Sequence, residues 1–285
     1  MNLDTAIPVL VNGKPAASIS VLDRGLLYGD GVFETIPVSD GEPRHWPCHM
    51  QRLQAGCARL GLPACDAPVL LDEARRLFGS AGTGVLKVIV TRGSAGRGYR
   101  AGAGTEPTRI LQLHPPPDIP LACAQSGISI RICAMRLGHN PVLAGIKHLN
   151  RLEQVMARRE WSDAGIMEGL LLDHQDNLIE GTMSNLFLVR DGILTTPVLD
   201  RCGVAGITRS RVLHAAEQQG LEQRVRNIHS GELEQADEVF VCNSVIGIWP
   251  VVAAGGLAWQ KGGITTRIQR QLNGQSDASP GWRER

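Results

Sequence analysis

The chain carries almost no net charge, with 29 basic residues against 28 acidic ones leaving a formal +1. So balanced a surface has no overall field to draw in nucleic acid or an anionic membrane, and the expected partners are small molecules or further copies of the chain. The cysteines lack any CxxC spacing: seven, an odd number, are scattered at Cys48, Cys57, Cys65, Cys123, Cys133, Cys202 and Cys242. That pattern argues against a disulfide framework or a structural zinc site and fits reduced thiols in a cytoplasm. The start, Met1-Asn2-Leu3-Asp4-Thr5, has neither the basic residues nor the apolar core of a signal peptide, and no apolar run reaches membrane-spanning length. A cytoplasmic protein is expected. Internal repeats and coiled-coil heptads are missing too. The glycine-rich stretch Gly93 to Gly104 reads Gly96-x-Gly98-x-x-x-Gly102, which is not a dinucleotide fingerprint.

What is present is 285 residues, 43% apolar, enough for two domains and a large core. Strand-like Ile7 to Val11, an Asn12-Gly13 turn and Ala17 to Val21 suggest a hairpin, and Val32 to Val38, Asp40-Gly41 and Arg44 to Trp46 a second. Helical spacing follows from Pro47 to Gly61 and from Ala67 to Phe78, then strands at Val85 to Thr91 and Arg109 to Leu113. Pro115-Pro116-Pro117-Asp118-Ile119-Pro120 continues neither a sheet nor a helix interior. The expectation is a small α+β domain over 1–114, a linker over 115–120 and a larger domain over 121–285. In the latter, strands are expected near 128–133, 169–172, 186–189, 193–195, 238–242 and 246–251, with helices over 148–161, 207–218 and 264–272.

Lys147 is the lone cation in the apolar run Ala144-Gly145-Ile146-Lys147 at an expected helix start. Desolvation favours a neutral amine, and a neutral amine is a nucleophile. Glu180 follows in strand-like sequence and leads into Gly181-Thr182-Met183-Ser184-Asn185. Gly203-Val204-Ala205-Gly206-Ile207-Thr208-Arg209 puts glycines and a hydroxyl at a helix start, where exposed amides and the helix dipole favour an anion; an ordinary capped helix is the other reading. Asn243-Ser244 ends a strand with further donors, or is a plain turn. Arg52 could grip a phosphate or form a surface ion pair. His45 and His49 are four apart, but Pro47 intervenes, so no metal site is expected. Arg92, Arg97 and Arg100 make the glycine-rich stretch either a mobile basic flap over an anionic substrate or an inert loop.

Taken in order, Asp23-Arg24-Gly25 through Gly29-Asp30-Gly31-Val32-Phe33-Glu34-Thr35, His49-Met50-Gln51-Arg52-Leu53, Lys147-His148-Leu149-Asn150, Glu180 to Phe187 and Gly206-Ile207-Thr208-Arg209 resemble the fold-type IV pyridoxal-phosphate enzymes. That group holds branched-chain aminotransferases, D-amino-acid aminotransferases and 4-amino-4-deoxychorismate lyases. The resemblance implies an α+β fold of two domains, the larger with a pseudo-barrel sheet, bound pyridoxal 5'-phosphate, and a homodimer. It implies that Lys147 holds the cofactor covalently and that Glu180 pairs with the pyridine nitrogen. Arg52, Ile207, Thr208, Asn243 and Ser244 would bind the phosphate, and Arg151 would lie near the ring oxygen. The run Lys147 to Val155, Thr182-Met183-Ser184-Asn185, and Thr91-Arg92-Gly93 to Arg97-Gly98-Tyr99 look like the lyase version, and Thr35 matches a threonine placed beside the reacting substrate. The implied reaction is elimination of pyruvate from 4-amino-4-deoxychorismate to give 4-aminobenzoate in folate biosynthesis, with Arg97 and Tyr99 toward the substrate. The alternatives are a D-amino-acid or branched-chain aminotransferase and a noncatalytic pyridoxal-phosphate-binding protein.

Overall fold

Alternation along Val32-Phe33-Glu34-Thr35-Ile36-Pro37-Val38 places Val32, Ile36 and Val38 on one side of a strand. The computed structural model, which describes residues 7–79, 81–102, 104–274 and 281–283, buries that side, with Ile36 at 0% exposure. The chain divides into two units, Met1–Asp118 with Ile146–Asn150, and Ile119–Gly145 with Arg151–Arg285. The first contains β1 (Val9–Val11), β2 (Lys14–Pro15), α1 (Arg24–Tyr28), β3 (Gly31–Ser39), β4 (Glu42–Pro43), α2 (Trp46–Leu60), α3 (Ala67–Phe78), β5 (Gly84–Thr91) and β6 (Thr108–His114). Its six strands form an antiparallel sheet in the order β2-β1-β6-β5-β3-β4.

Met50, Leu53 and Cys57 of α2 and Leu70, Ala74 and Phe78 of α3 cover the buried face of β3 and β5. Helix α2 accepts Pro47 because the first turn has no use for its missing N–H, and Gly61 closes it in the left-handed conformation, φ 61°. The first expected hairpin is shorter than its sequence suggests: β1 turns at Asn12-Gly13 and pairs only with Lys14–Pro15. Pro15 offers no amide to prolong the ladder, and 17–21 is not a strand. The expected loop at 23–31 contains α1, capped by Asp23, whose carboxylate accepts from the Gly25 amide at 2.8 Å.

The second unit contains α4 (Ala122–Gln125), β7 (Ile128–Leu137), α5 (Leu152–Arg158), β8 (Ile166–Asp173), β9 (Asn177–Gly181), β10 (Asn185–Arg190), β11 (Ile193–Pro197), α6 (Ile207–Gln218), β12 (Gln223–Arg226), β13 (Ile228–His229), β14 (Glu238–Asn243), β15 (Gly247–Ala254), β16 (Leu257–Ala258) and α7 (Gly263–Gly274). Its ten strands make a mixed, nearly closed barrel-like sheet in the order β12-β11-β10-β14-β15-β7-β8-β9-β13, with β16 on β15. Strands β10 and β14 are buried almost throughout, which is why their sequences are continuous apolar runs. Phe187 and Phe240 stack at 4.9 Å beneath α6 and α7. Glu238, buried, fixes the start of α7 by accepting from the Ile264 and Thr265 amides at 3.0 and 2.8 Å.

The helix expected over 148–161 is only Leu152–Arg158, and the face expected to be buried is open, with Leu152 71% and Val155 53% exposed. Residues 147–149 are drawn instead into extended pairing with β3. The Phe33 amide donates to the Lys147 carbonyl, and the Leu149 amide to Gly31, each at 3.0 Å. All seven cysteines are free and buried. Among the described residues no helix is long and apolar enough to cross a membrane, and no group of three or more His, Cys, Asp or Glu could hold a metal ion.

Candidate active site

In the first unit, pairing of 147–149 with β3 sets the Lys147 ammonium over the Phe33 ring, 4.4 Å from its centroid. Such a contact orients a cation without neutralising it by a carboxylate. Thr35 lies two residues along the same strand and therefore on the same sheet face as Phe33, opposite Lys87 of β5. Lys87 approaches the same ring at 5.6 Å.

The other face of β3 carries an acid among apolar neighbours. Glu34 is 0% exposed and binds two groups of α2: Arg52 donates from Nε at 2.8 Å and from Nη2 at 2.5 Å, and His49 Nδ1 lies 2.6 Å away. Burial alone raises the Glu34 carboxyl, but the charges and hydrogen bonds of Arg52 and His49 outweigh it and hold the pKa at about 2. Burial also lowers the His49 pKa, against the pull of Glu34 and with help from Arg52 and Lys147. The imidazole is therefore neutral near pH 7, with Nδ1–H donating to Glu34. His45, the other member of the histidine pair, precedes α2 in left-handed backbone. Arg52 is thus neither on the surface nor a lone cation: it is 6% exposed and fork-bonded.

In the second unit, Glu180 ends β9 at 5% exposure. Its carboxylate accepts from the Val204 amide at 2.9 Å and from Gln154 Nε2 at 3.3 Å. Burial lowers the Arg151 pKa while Glu180 and Glu153 raise it, so Arg151 sits in the field of Glu180. Asn185 donates to the Val204 carbonyl at 2.9 Å, so one peptide links Glu180 to the segment leading into α6. Helix α6 starts after Gly206 with no side-chain cap, which leaves the amides near Ile207 and Thr208 without an intrahelical acceptor. A Cβ on Gly206 would stand 1.9 Å from Asn185 Oδ1, so glycine is demanded by space. Arg209, next in the motif, turns inward. It is 2% exposed, donates to the Pro197 carbonyl at 3.0 Å, and burial lowers its pKa to about 10. The Asn243 side chain is committed locally: Oδ1 accepts from the Val245 and Ile246 amides, and Nδ2 donates to Met183 at 3.0 Å, with Ser244 in the same turn.

Of the anticipated residues, Lys147, Thr35, Arg52, Arg97 and Tyr99 belong to the first unit, and Glu180, Arg151, Ile207, Thr208, Asn243 and Ser244 to the second. Sequence reasoning missed Phe33 and Glu34 as individual actors, though both lie inside a quoted motif. An acid in the apolar phase of an alternating strand was the available signal for Glu34. It missed Glu168 as well. That buried carboxylate accepts from the Thr182 amide and hydroxyl and the Ser184 hydroxyl, at 3.0, 2.6 and 2.7 Å, and so shapes the turn after Glu180.

The family model for amino-transferase class IV matches residues 31–254. The chain belongs to the class IV amino-transferase family. It is similar to the solved 4-amino-4-deoxychorismate lyase of Pseudomonas aeruginosa, with 49% identity, TM-score 0.91, and 94% of this chain and 99% of the other covered. It is 35% identical to the aminodeoxychorismate lyase of Vibrio harveyi over 92% of this chain and 98% of that one. The Escherichia coli branched-chain amino acid aminotransferase superposes with TM-score 0.84 at 27% identity, covering 95% and 94%. Fold and family are therefore those the motifs implied, and this class IV chain carries its family pattern on Glu34, His49 and Arg52 as one buried hydrogen-bonded cluster.

Replacing Glu34 by Gln leaves the Arg52 charge buried without its partner, and about 3 to 5 kcal/mol of stability is expected to go at pH 7. The folded pKa, about 2, lies below the reference 4.5, so the wild-type advantage is full above pH 4.5 and fades as pH falls toward 2. Melting temperatures of both proteins across that range check this; a constant gap would refute the assignment.

Proposed function

We propose that this protein eliminates pyruvate from 4-amino-4-deoxychorismate to leave 4-aminobenzoate, a step of folate biosynthesis, with pyridoxal 5'-phosphate as cofactor. The observation that carries the reading is the nearly end-to-end 49% identity to a lyase, against 27% to an aminotransferase of the same fold. The donor set fits the cofactor: an amine seated on an aromatic ring, a buried carboxylate held by an amide and a carboxamide, and an uncapped glycine-led helix start. Bound there, the cofactor supplies an electron sink for a carbanion.

Lys147 holds the cofactor through Nζ until the amine of the substrate displaces it. The freed Nζ then takes the proton from C4 of the substrate. Glu180 keeps a proton on the ring nitrogen by accepting its hydrogen bond. Arg52, the amides near Ile207 and Thr208, and the Asn243-Ser244 turn receive the phosphate, and Arg151 faces the ring oxygen. The C3–O bond breaks with its electron pair leaving on the enolpyruvyl oxygen, and the carbocycle becomes aromatic. Thr35 hydrogen-bonds Lys147 or hands a proton to the departing enolpyruvate, which becomes pyruvate. Arg97 and Tyr99 meet the substrate carboxylates. We also read the protein as a cytoplasmic homodimer; exposed Val142, Leu152, Val155 and Met156 give the second unit apolar surface for another copy.

With aminodeoxychorismate generated in situ, pyruvate and 4-aminobenzoate are expected in equal amounts. Rapid glutamate formation from D-alanine and 2-oxoglutarate without those products would make the protein a transaminase, and absence of bound cofactor after supplementation a noncatalytic chain. Lys147→Ala is expected to lose the cofactor's band near the visible edge and turnover by about a thousandfold or more. An active variant without the band would sink the lysine assignment. Gly206→Ala pushes Asn185 away from Val204 and is expected to weaken cofactor binding about tenfold by equilibrium dialysis; unaltered binding would remove the α6 start from the phosphate site.

A further inference from the structure

The glycine-rich segment after β5 should be costly to order, yet its backbone is gripped at one place. Gly96, Gly98 and Gly102 have open space where a Cβ would be, so packing does not fix this stretch. Arg24 does. Its guanidinium is 4% exposed and donates from Nη1 to the Gly98 carbonyl at 2.8 Å and from Nη2 to the Tyr99 carbonyl at 2.7 Å. Nε is spent on Asp30 at 2.9 Å, and the plane lies over the Tyr28 ring, 4.8 Å from its centroid. Tyr28 meets the Tyr99 ring edge-on at 5.5 Å.

The anchor is itself braced. Asp30 also accepts from Arg92 at 2.7 and 3.0 Å, and Arg92 reaches the Leu60 and Gly61 carbonyls at the end of α2, each at 2.7 Å. Burial raises the Asp30 pKa, but hydrogen bonds from both arginines bring it below the usual carboxylate value, so the anion persists at neutral pH. At the chain's other contacts, Asp23 pairs with Ser94 as an isolated bridge, and the Arg24 amide donates to the Gly93 carbonyl at 2.9 Å. The segment is thus held at Gly93-Ser94 and again at Gly98-Tyr99.

On this clamped backbone Arg97 and Arg100 are exposed, and neither forms a hydrogen bond or ion pair among the described residues. Arginines elsewhere on the surface, such as Arg75, Arg224 and Arg226, have carboxylate partners. Two uncommitted guanidinium groups on a fixed loop suit a ligand with more than one carboxylate, since the ordering cost is met before the ligand arrives.

We propose that Arg24 is a positioning residue: by gripping the Gly98 and Tyr99 carbonyls it presets the segment so that Arg97 and Arg100 receive the carboxylates of a dianionic substrate. The substrate half rests on the functional reading above; the clamp does not. Main-chain carbonyls are the targets, so the grip sets the path of the loop and leaves its side chains free for the ligand.

The test compares wild type with Arg24→Met, Arg24→Lys, Arg97→Ala and Arg100→Ala in two measurements on the cofactor-loaded enzyme. The first is tryptic cleavage after Arg97 and Arg100, which needs no substrate. Arg24→Met is expected to speed it about tenfold or more, and Arg24→Lys, which cannot span Asp30 and both carbonyls, by less. The second is steady-state kinetics with aminodeoxychorismate. Arg24→Met and Arg97→Ala are each expected to raise KM about tenfold with little change in kcat or in the cofactor's absorbance. Unchanged tryptic rates in Arg24→Met overturn the clamp. Unchanged KM in both alanine variants overturns the role of the loop in binding. If wild type forms no 4-aminobenzoate, the functional reading fails together with the substrate half, while the tryptic rates still decide the clamp.

Discussion

Two main-chain hydrogen bonds govern much of this structure: Phe33 N–H to the Lys147 carbonyl and Leu149 N–H to Gly31. They take residues that local spacing assigns to a helix and lay them along β3. A helix beginning at His148 would have turned that carbonyl into its own first turn, and the ammonium of Lys147 would have had no fixed relation to Phe33. With the extended pairing, the nucleophile is indexed to a strand whose two faces do different work. Phe33 and Thr35 stand on one face, and Glu34 stands on the other, inside the core.

Glu34 shows why buried acids recur here. Removing a carboxylate from water is unfavourable unless several donors replace the water. Glu34 takes Arg52 and His49, Glu168 takes the Thr182 and Ser184 turn, and Glu238 takes the first amides of α7. In each case the acid joins its own strand to a segment remote from it in space or sequence, and its low tolerance for missing partners makes that junction geometrically strict. Arg52 gains a fixed orientation by this means and gives up much of its long-range field, because Glu34 stands against it. Its service to a phosphate is then mostly that of an aimed donor, and the field of α6 does not depend on it.

How far the sequence disclosed this follows from range. Local signals read well: Asn12-Gly13 and Asp40-Gly41 turn where expected with positive φ, Gly61 ends α2, and Ile207 starts α6. Ordered motifs exposed the family, because they name Lys147, Glu180, Arg52 and the α6 start together. What could not be read were partners set by tertiary pairing. The Glu34 to Arg52 contact joins a strand to a helix, Arg24 reaches Gly98 across more than seventy residues, and the exposed stripe of α5 obeys helical spacing without facing the core. Periodicity reports that an apolar face exists; it does not report what covers it.

The division between elimination and transamination is subject to the same limit. Lys147 and Glu180 are wanted by either reaction, since each begins by taking a proton next to the cofactor-bound nitrogen and delocalising the electron pair. The reactions diverge afterwards: the pair either expels a group from the neighbouring carbon or is reprotonated on the cofactor. Which course is taken depends on how the substrate is held relative to the C3–O bond, and on whether a proton donor waits at the leaving oxygen. Thr35 and the segment gripped by Arg24 are the parts of this chain placed to settle that, and neither belongs to the phosphate or ring contacts. Evidence for the chemistry must therefore be sought in the residues facing the substrate, because those that hold the cofactor serve both outcomes equally.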